Sequence, residues 1–218
     1  MKVRTHFHLA KLSLNHISSN LPKGFNKNLF YFGTILADCC HLPFTNPHYI
    51  DSSYSFIEDK IKKISKKKSF TYYDSLELGI IIHYICDFCC YSHITGGIGN
   101  PNKHMLYERQ IQRYLLKNIN SFNENFNISS LYKDENSNTT SKVRQLIKFI
   151  CYQLNVYRKG NHSFQWDIVN SIIISSKVLE TLFYSSSGEN ETLNEKSPDF
   201  LNKESDYLIN NNENFRIS

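Results

Sequence analysis

Residues 79–93 read GIIIHYICDFCCYSH, an apolar run that carries two histidines, an aspartate and three cysteines. Its interior is almost continuously hydrophobic, which marks a central buried helix. That helix starts after Thr71, with Asp74 as its N-cap, and runs towards Tyr91. Ionisable groups are costly to bury, so His83, Asp87 and His93 must either pair with one another through packing or surround something positive.

The sequence on either side has the same helical character. β-branched alternation is sparse, and the chain holds only eight glycines and five prolines. Apolar residues recur at helical spacing over about 6–18, 26–39, 53–66, 102–120, 141–158 and 164–185. The third of these is entered from Asp51-Ser52-Ser53, and the glycines of 96–99 with Pro101 separate the central helix from the next. Residues 121–140 are polar and asparagine-rich and read as a loop. The sequence therefore predicts an all-α, single compact helical domain of about seven helices over residues 1–186. An acidic, polar tail follows over 187–218, too poor in apolar residues to require packing.

Length and charge narrow the function classes. A chain of 218 residues can bury one substantial core. The formal charge of +5 hides an asymmetry, because 187–218 holds seven acidic and three basic residues. The remainder carries a net +9, which favours anionic partners such as phosphate esters, nucleic acid or a membrane surface. Six lysines fall between Lys60 and Lys68, followed by Tyr72 and Tyr73; a solvated helix face is the competing explanation of that cluster. No apolar run reaches the ~18–20 residues of a membrane span. His6, His8, Lys11, Asn15 and His16 interrupt any secretory core, so the sequence predicts a soluble cytoplasmic protein. Its six cysteines, with vicinal pairs at 39–40 and 89–90, then read as thiols, and Cys86 and Cys89 as small core residues.

The chemistry is carried by spacing. Helix positions i and i+4 lie about 40° apart and ~6 Å along the axis, on one face. His83 and Asp87 have this spacing, and so do His104 and Glu108. Each pair can present an imidazole nitrogen and a carboxylate oxygen to one point, and these are ligand types that Zn²⁺ accepts. His93, six residues after Asp87, can join them only if the helix ends near Ser92.

HYICDFCCYSH followed by HMLYE resembles the H-x3-D-x5-H … H-x3-E signature of the zinc-dependent phospholipase C family. That family shares a helical fold and a trinuclear zinc site with the S1/P1-type nucleases. Thr5-His6 is similar to its N-terminal T-H dipeptide. FYFGTILAD, ending at Asp38, is similar to its F-x-x-G-x-x-x-P-D segment, with Ala37 in place of the proline. The resemblance covers roughly residues 5–108. It implies that Asp38, His48, His83 and Asp87 surround one zinc and that His93, His104 and Glu108 hold a second, more open one. It further implies that Asp87 bridges to a third zinc that His6 also binds. In the secreted enzymes the N-terminal amine and carbonyl complete this third site. Whether the Met1 amine does so here is left open, as are His41 against His48 and His8 against His6, with His48 and His6 favoured.

The expected cofactor is therefore two or three Zn²⁺ ions. The expected activity is hydrolysis of a phosphodiester by metal-activated water, phospholipase C-like, with Asp38 orienting or deprotonating the water. The substrate is a phosphate ester, with phospholipid at a membrane surface favoured over nucleic acid. An S1/P1-type nuclease or nucleotidase, and a non-catalytic zinc-stabilised domain, are the alternatives. His16 and His162 have no motif around them and read as surface residues.

Overall fold

Every residue from Leu78 to Phe88 is buried, and the segment is helical throughout. The computed structural model describes residues 1–17, 20–39, 46–67, 69–94, 99–124 and 139–186. Over these the chain forms α1 (Val3–Asn15), α2 (Lys27–Cys39), α3 (Ile50–Ser65), α4 (Tyr72–Phe88) and a 3-10 turn at Tyr91–His93. It continues with α5 (Pro101–Lys117), α6 (Ile119–Glu124), α7 (Thr139–Lys159) and α8 (Phe164–Ser186), and no strand occurs among the described residues. The all-α expectation holds. The expected helices are all present, and α6 is added in the segment read as loop, where buried Phe122 supplies an apolar anchor. Thr139 and Thr140 of that segment begin α7, and residues 125–138 and the 187–218 tail lie outside the described residues.

α4 is the hub, packed against α1, α2, α3 and α8. Ile80, Ile81, Ile82, Ile85 and Phe88 fill the space between these helices. Burying each such side chain contributes about 1.5–3 kcal/mol. Thr71, not Asp74, is the N-cap of α4. The Asp74 N–H donates to Thr71 Oγ1, while Asp74 Oδ2 accepts the Thr71 N–H at 2.7 Å. Asp74 is thus the third residue of a capping box, and its charge pairs with Lys67.

The α2–α4 crossing sets the site. Gly33 and Gly79 face each other so closely that a Cβ on Gly79 would lie 2.1 Å from the Phe30 carbonyl oxygen and 2.9 Å from the Gly33 Cα. Backbone-to-backbone contact brings Thr34 and Asp38 of α2 against His83 of α4. The Thr34 carbonyl accepts a hydrogen bond from His83 Nδ1 at 2.8 Å.

α4 ends at Phe88 rather than near Tyr91. The Asp87 carbonyl accepts the Cys90 N–H, and the Tyr91 N–H leaves the helix to donate to Asp167 Oδ2 on α8. The chain then turns through Tyr91–His93, which swings His93 back towards Asp87. Cys86, Cys89 and Cys90 are buried thiols, as expected, whereas Cys151 is exposed. Burial pushes the Cys86 thiol up to about 12, so it stays protonated and packs as a small apolar group.

Candidate metal centre

Five parts of the chain converge on Asp87. His6 comes from α1, Asp38 from α2, His48 from the segment before α3, His83 from α4 itself and His93 from the 3-10 turn. α5 adds His104 and Glu108. All eight residues selected from the sequence fall into three groups: His6, His83 and Asp87; Asp38, His48 and His83; and His93, His104 and Glu108. Within each group the ligand-type atoms lie within 4.8 Å of one another.

Asp87 divides its carboxylate between two of these directions. Oδ2 lies 3.0 Å from His48 Nδ1 and 3.2 Å from His83 Nε2. Asp38 Oδ1 closes this side, 3.6 Å from His83 Nε2 and 3.7 Å from His48 Nδ1. Oδ1 of Asp87 looks the other way, 3.3 Å from His6 Nε2 and 3.5 Å from His93 Nε2. On α5, Glu108 Oε1 lies 2.9 Å from His104 Nε2 and 3.2 Å from His93 Nε2.

The α-amino nitrogen of Met1 enters between these groups. It lies 2.5 Å from Asp87 Oδ1, 3.0 Å from His93 Nε2 and 3.2 Å from Glu108 Oε1, fully buried. The sequence left this N-terminal contribution open, and the fold brings the nitrogen to the centre. His48 also lies in the cluster, while His41 falls outside the described residues. His8, two residues on and about 200° round α1 from His6, is not part of it.

A family model for zinc-dependent phospholipase C matches residues 5–163. The chain belongs to that family. No curated protein and no solved structure matches it in the corresponding searches.

The arrangement of protons tests whether the cluster suits the family's zinc. A carbonyl oxygen can only accept, so the bond from His83 Nδ1 to Thr34 fixes the proton on Nδ1. In the neutral ring Nε2 then presents a lone pair to the oxygens of Asp87 and Asp38. His93 repeats this pattern, with Nδ1 donating to the His48 carbonyl at 3.1 Å and Nε2 facing Glu108 and Asp87. Lone pairs aimed at carboxylates are satisfied by a cation. His6 Nε2 and Asp87 Oδ2 are buried without a hydrogen bond, which points to the same need. Tetrahedral Zn²⁺ with bonds of about 2.0–2.1 Å holds its ligand atoms about 3.3 Å apart. The separations of 3.0 to 3.7 Å around Asp87 Oδ2 bracket that value. The residues therefore fit zinc, and the Thr34 and His48 carbonyls that hold His83 and His93 are the outer support such a site requires.

Electrostatics agree. Burial holds His6 well below, and His93 below, the ordinary imidazole value, which keeps both neutral and able to coordinate. Burial alone would raise Asp87, but the neighbouring imidazoles and the Met1 ammonium keep its carboxyl well below the usual range. Burial likewise opposes the Met1 charge, yet the carboxylates of Asp87 and Glu108 raise the amine to about 11.

Two sequence readings change. Four of the lysines between 60 and 68 are engaged: Lys60 and Lys63 with Glu77, Lys62 with Glu58, and Lys67 with Asp74. These three carboxylates offset part of the cluster's charge. His162, expected at the surface, is half-buried and stacks on Tyr91 at 4.7 Å, and half-buried His16 bonds the Phe122 carbonyl at 2.8 Å. Sequence reasoning also missed Asp167, a fully buried acid within the apolar run of α8. The only signal for it was a lone carboxylate in WDIVNSIII.

Proposed function

We propose that the chain is a zinc-dependent phosphoric ester hydrolase that cleaves a phosphodiester in the manner of a phospholipase C. The observation that carries this reading is the set of imidazole lone pairs on His83 and His93 turned onto the carboxylates of Asp38, Asp87 and Glu108. Asp38, His48, His83 and Asp87 would hold one ion, His93, His104 and Glu108 a second, and His6 with Asp87 and the Met1 amine a third. Bound there, zinc supplies Lewis-acid neutralisation of phosphoryl oxygens and a water acidic enough to react near neutral pH.

The chain's own groups do the rest. Asp38 is the most exposed of the eight residues, with 28 % of its side chain accessible against none for His6, His83 and Asp87. Its carboxylate can orient the attacking water and take its proton, while the buried residues keep fixed positions. On α5 the His104 side chain is 22 % accessible, which gives a substrate oxygen an approach to the second group beside buried Glu108. Phospholipid is the substrate class the family supports. A nucleic-acid substrate draws less support, because four of the six lysines that suggested it pair with Glu58, Asp74 and Glu77.

The test is hydrolysis of bis-p-nitrophenyl phosphate by zinc-loaded protein, followed by comparison of dispersed phosphatidylcholine with single-stranded DNA. Asp38→Asn is expected to lower turnover by about 10²–10⁴-fold with zinc retained. Zinc-loaded protein that turns over no phosphate ester would overturn the enzymatic reading and leave a domain that zinc merely stabilises.

A further inference from the structure

Asp167 lies beyond the matched residues 5–163, on the first turn of α8. It is wholly buried, and the described residues give it no lysine or arginine partner. Instead it accepts three hydrogen bonds. Oδ2 takes the backbone N–H of Tyr91 at 3.1 Å and the Tyr107 hydroxyl at 2.8 Å, and Oδ1 takes the Tyr157 hydroxyl at 2.8 Å. Burial pushes its carboxyl up to about 7 despite these donors. Such a residue is expensive to keep where an apolar one would pack.

Its partners explain the expense. Tyr91 opens the 3-10 turn that ends in His93, and Tyr107 immediately precedes Glu108 on α5. The Tyr91 ring is further clamped by His162, stacked at 4.7 Å, which meets Tyr157 edge-on at 5.1 Å. One carboxylate thus ties together the two separate elements that supply His93, His104 and Glu108.

We propose that Asp167 is a positioning residue for the α5 side of the site, holding the His93 turn and α5 at the mutual distance that His93, His104 and Glu108 need to share one ion. The inference rests on the zinc reading above, and its test separates the two. Tyr107→Phe removes one tie by deleting a single hydroxyl. Asp167→Ala removes all three. Asp167→Asn keeps an acceptor oxygen for the Tyr91 N–H and the Tyr107 hydroxyl.

Zinc is withdrawn by chelator titration while the histidine ring resonances are followed by NMR, with and without metal. The expected result is that the most weakly held zinc leaves about 10–100-fold more readily in Tyr107→Phe and Asp167→Ala, with Asp167→Asn near wild type. The His93 and His104 resonances move, and those of His6 and His83 do not. If the variants lose thermal stability but keep wild-type zinc affinity and His93 resonances, Asp167 is a structural acid only and the proposal is wrong. Should Asp167→Ala fail to fold, Tyr107→Phe decides by the same readouts. Should the wild type take up no zinc, the metal reading falls. The metal-free resonances of Tyr107→Phe then decide this inference alone: a shifted His93 upholds it, an unmoved one overturns it.

Discussion

The α-amino nitrogen of Met1 lies 2.5 Å from Oδ1 of Asp87, both groups fully buried and 86 positions apart in the chain. The pair joins the start of α1 to the last turn of α4, and it places a main-chain group among the side chains selected for zinc. An amine coordinates only when deprotonated, so in the metal-free chain this nitrogen serves as counter-ion and in the loaded one as a candidate ligand.

Converting this amine to an amide, by adding a residue ahead of Met1, removes the ammonium that lies against Asp87 Oδ1. Breaking a buried ion pair from one side costs about 3–5 kcal/mol. The metal-free protein should therefore unfold at distinctly lower urea in the extended form. An unchanged midpoint would show that Asp87 draws its compensation elsewhere.

Acid and alkali should both destabilise the metal-free protein, for different reasons. His6 and His93 have depressed folded values, so the unfolded chain binds more protons as pH falls below about 6.5, and stability declines there. Glu108 is held below the ordinary carboxylate range and extends this loss below about pH 4.3. The Met1 amine is raised to about 11, so its contribution is complete below pH 8 and lost as pH rises through about 11. Urea midpoints measured from pH 4 to 11 should describe a maximum near neutrality. A midpoint that holds constant from pH 8 to 11 would refute the role given to the amine.

Much of this site was legible because the helical repeat turns spacing into proximity. His83 with Asp87, and His104 with Glu108, needed only the i/i+4 rule to be recognised as pairs. His6, Asp38 and His48 came from the family resemblance, since nothing local places three distant segments against α4. Periodicity found α4 and its start after Thr71 but misjudged its capping residue and its C-terminus. Thr71 rather than Asp74 caps it, because the two hydrogen-bond reciprocally and spacing alone does not say which comes first. Its C-terminus is set by Asp167, whose acceptor competes for the Tyr91 N–H from across the bundle. The Met1 amine carries no side-chain signature at all. The pairing of the lysine cluster was only partly legible: Glu58 lies one helical turn before Lys62, whereas Glu77 and Asp74 reach Lys60, Lys63 and Lys67 from the next helix.

Gly79→Ala should damage both fold and site. The added Cβ meets the Phe30 carbonyl at 2.1 Å, which is backbone and cannot rotate away. Overpacking of this kind costs about 1–3 kcal/mol or more. Because α2 must retreat, Thr34 and Asp38 withdraw from His83, and zinc affinity should drop together with the urea midpoint. Loss of stability with unaltered zinc affinity would separate the crossing from the metal centre.

Glu108→Gln should release one zinc and retain the rest. The carboxylate is the only anionic member of the His93, His104 and Glu108 group, whereas Asp87 and Asp38 serve the others. A fall of one ion per chain, with the helical circular dichroism unchanged, is the expected result. Loss of every ion at once would mean that the groups do not bind separately.

The central claim is that the imidazoles and carboxylates around Asp87 are a zinc centre. Zinc per chain, measured by plasma emission on protein purified at neutral pH from zinc-supplemented medium without chelators, tests it most directly. The account predicts two to three ions per chain, falling in Asp87→Asn. Folded protein with less than one ion per chain would contradict it.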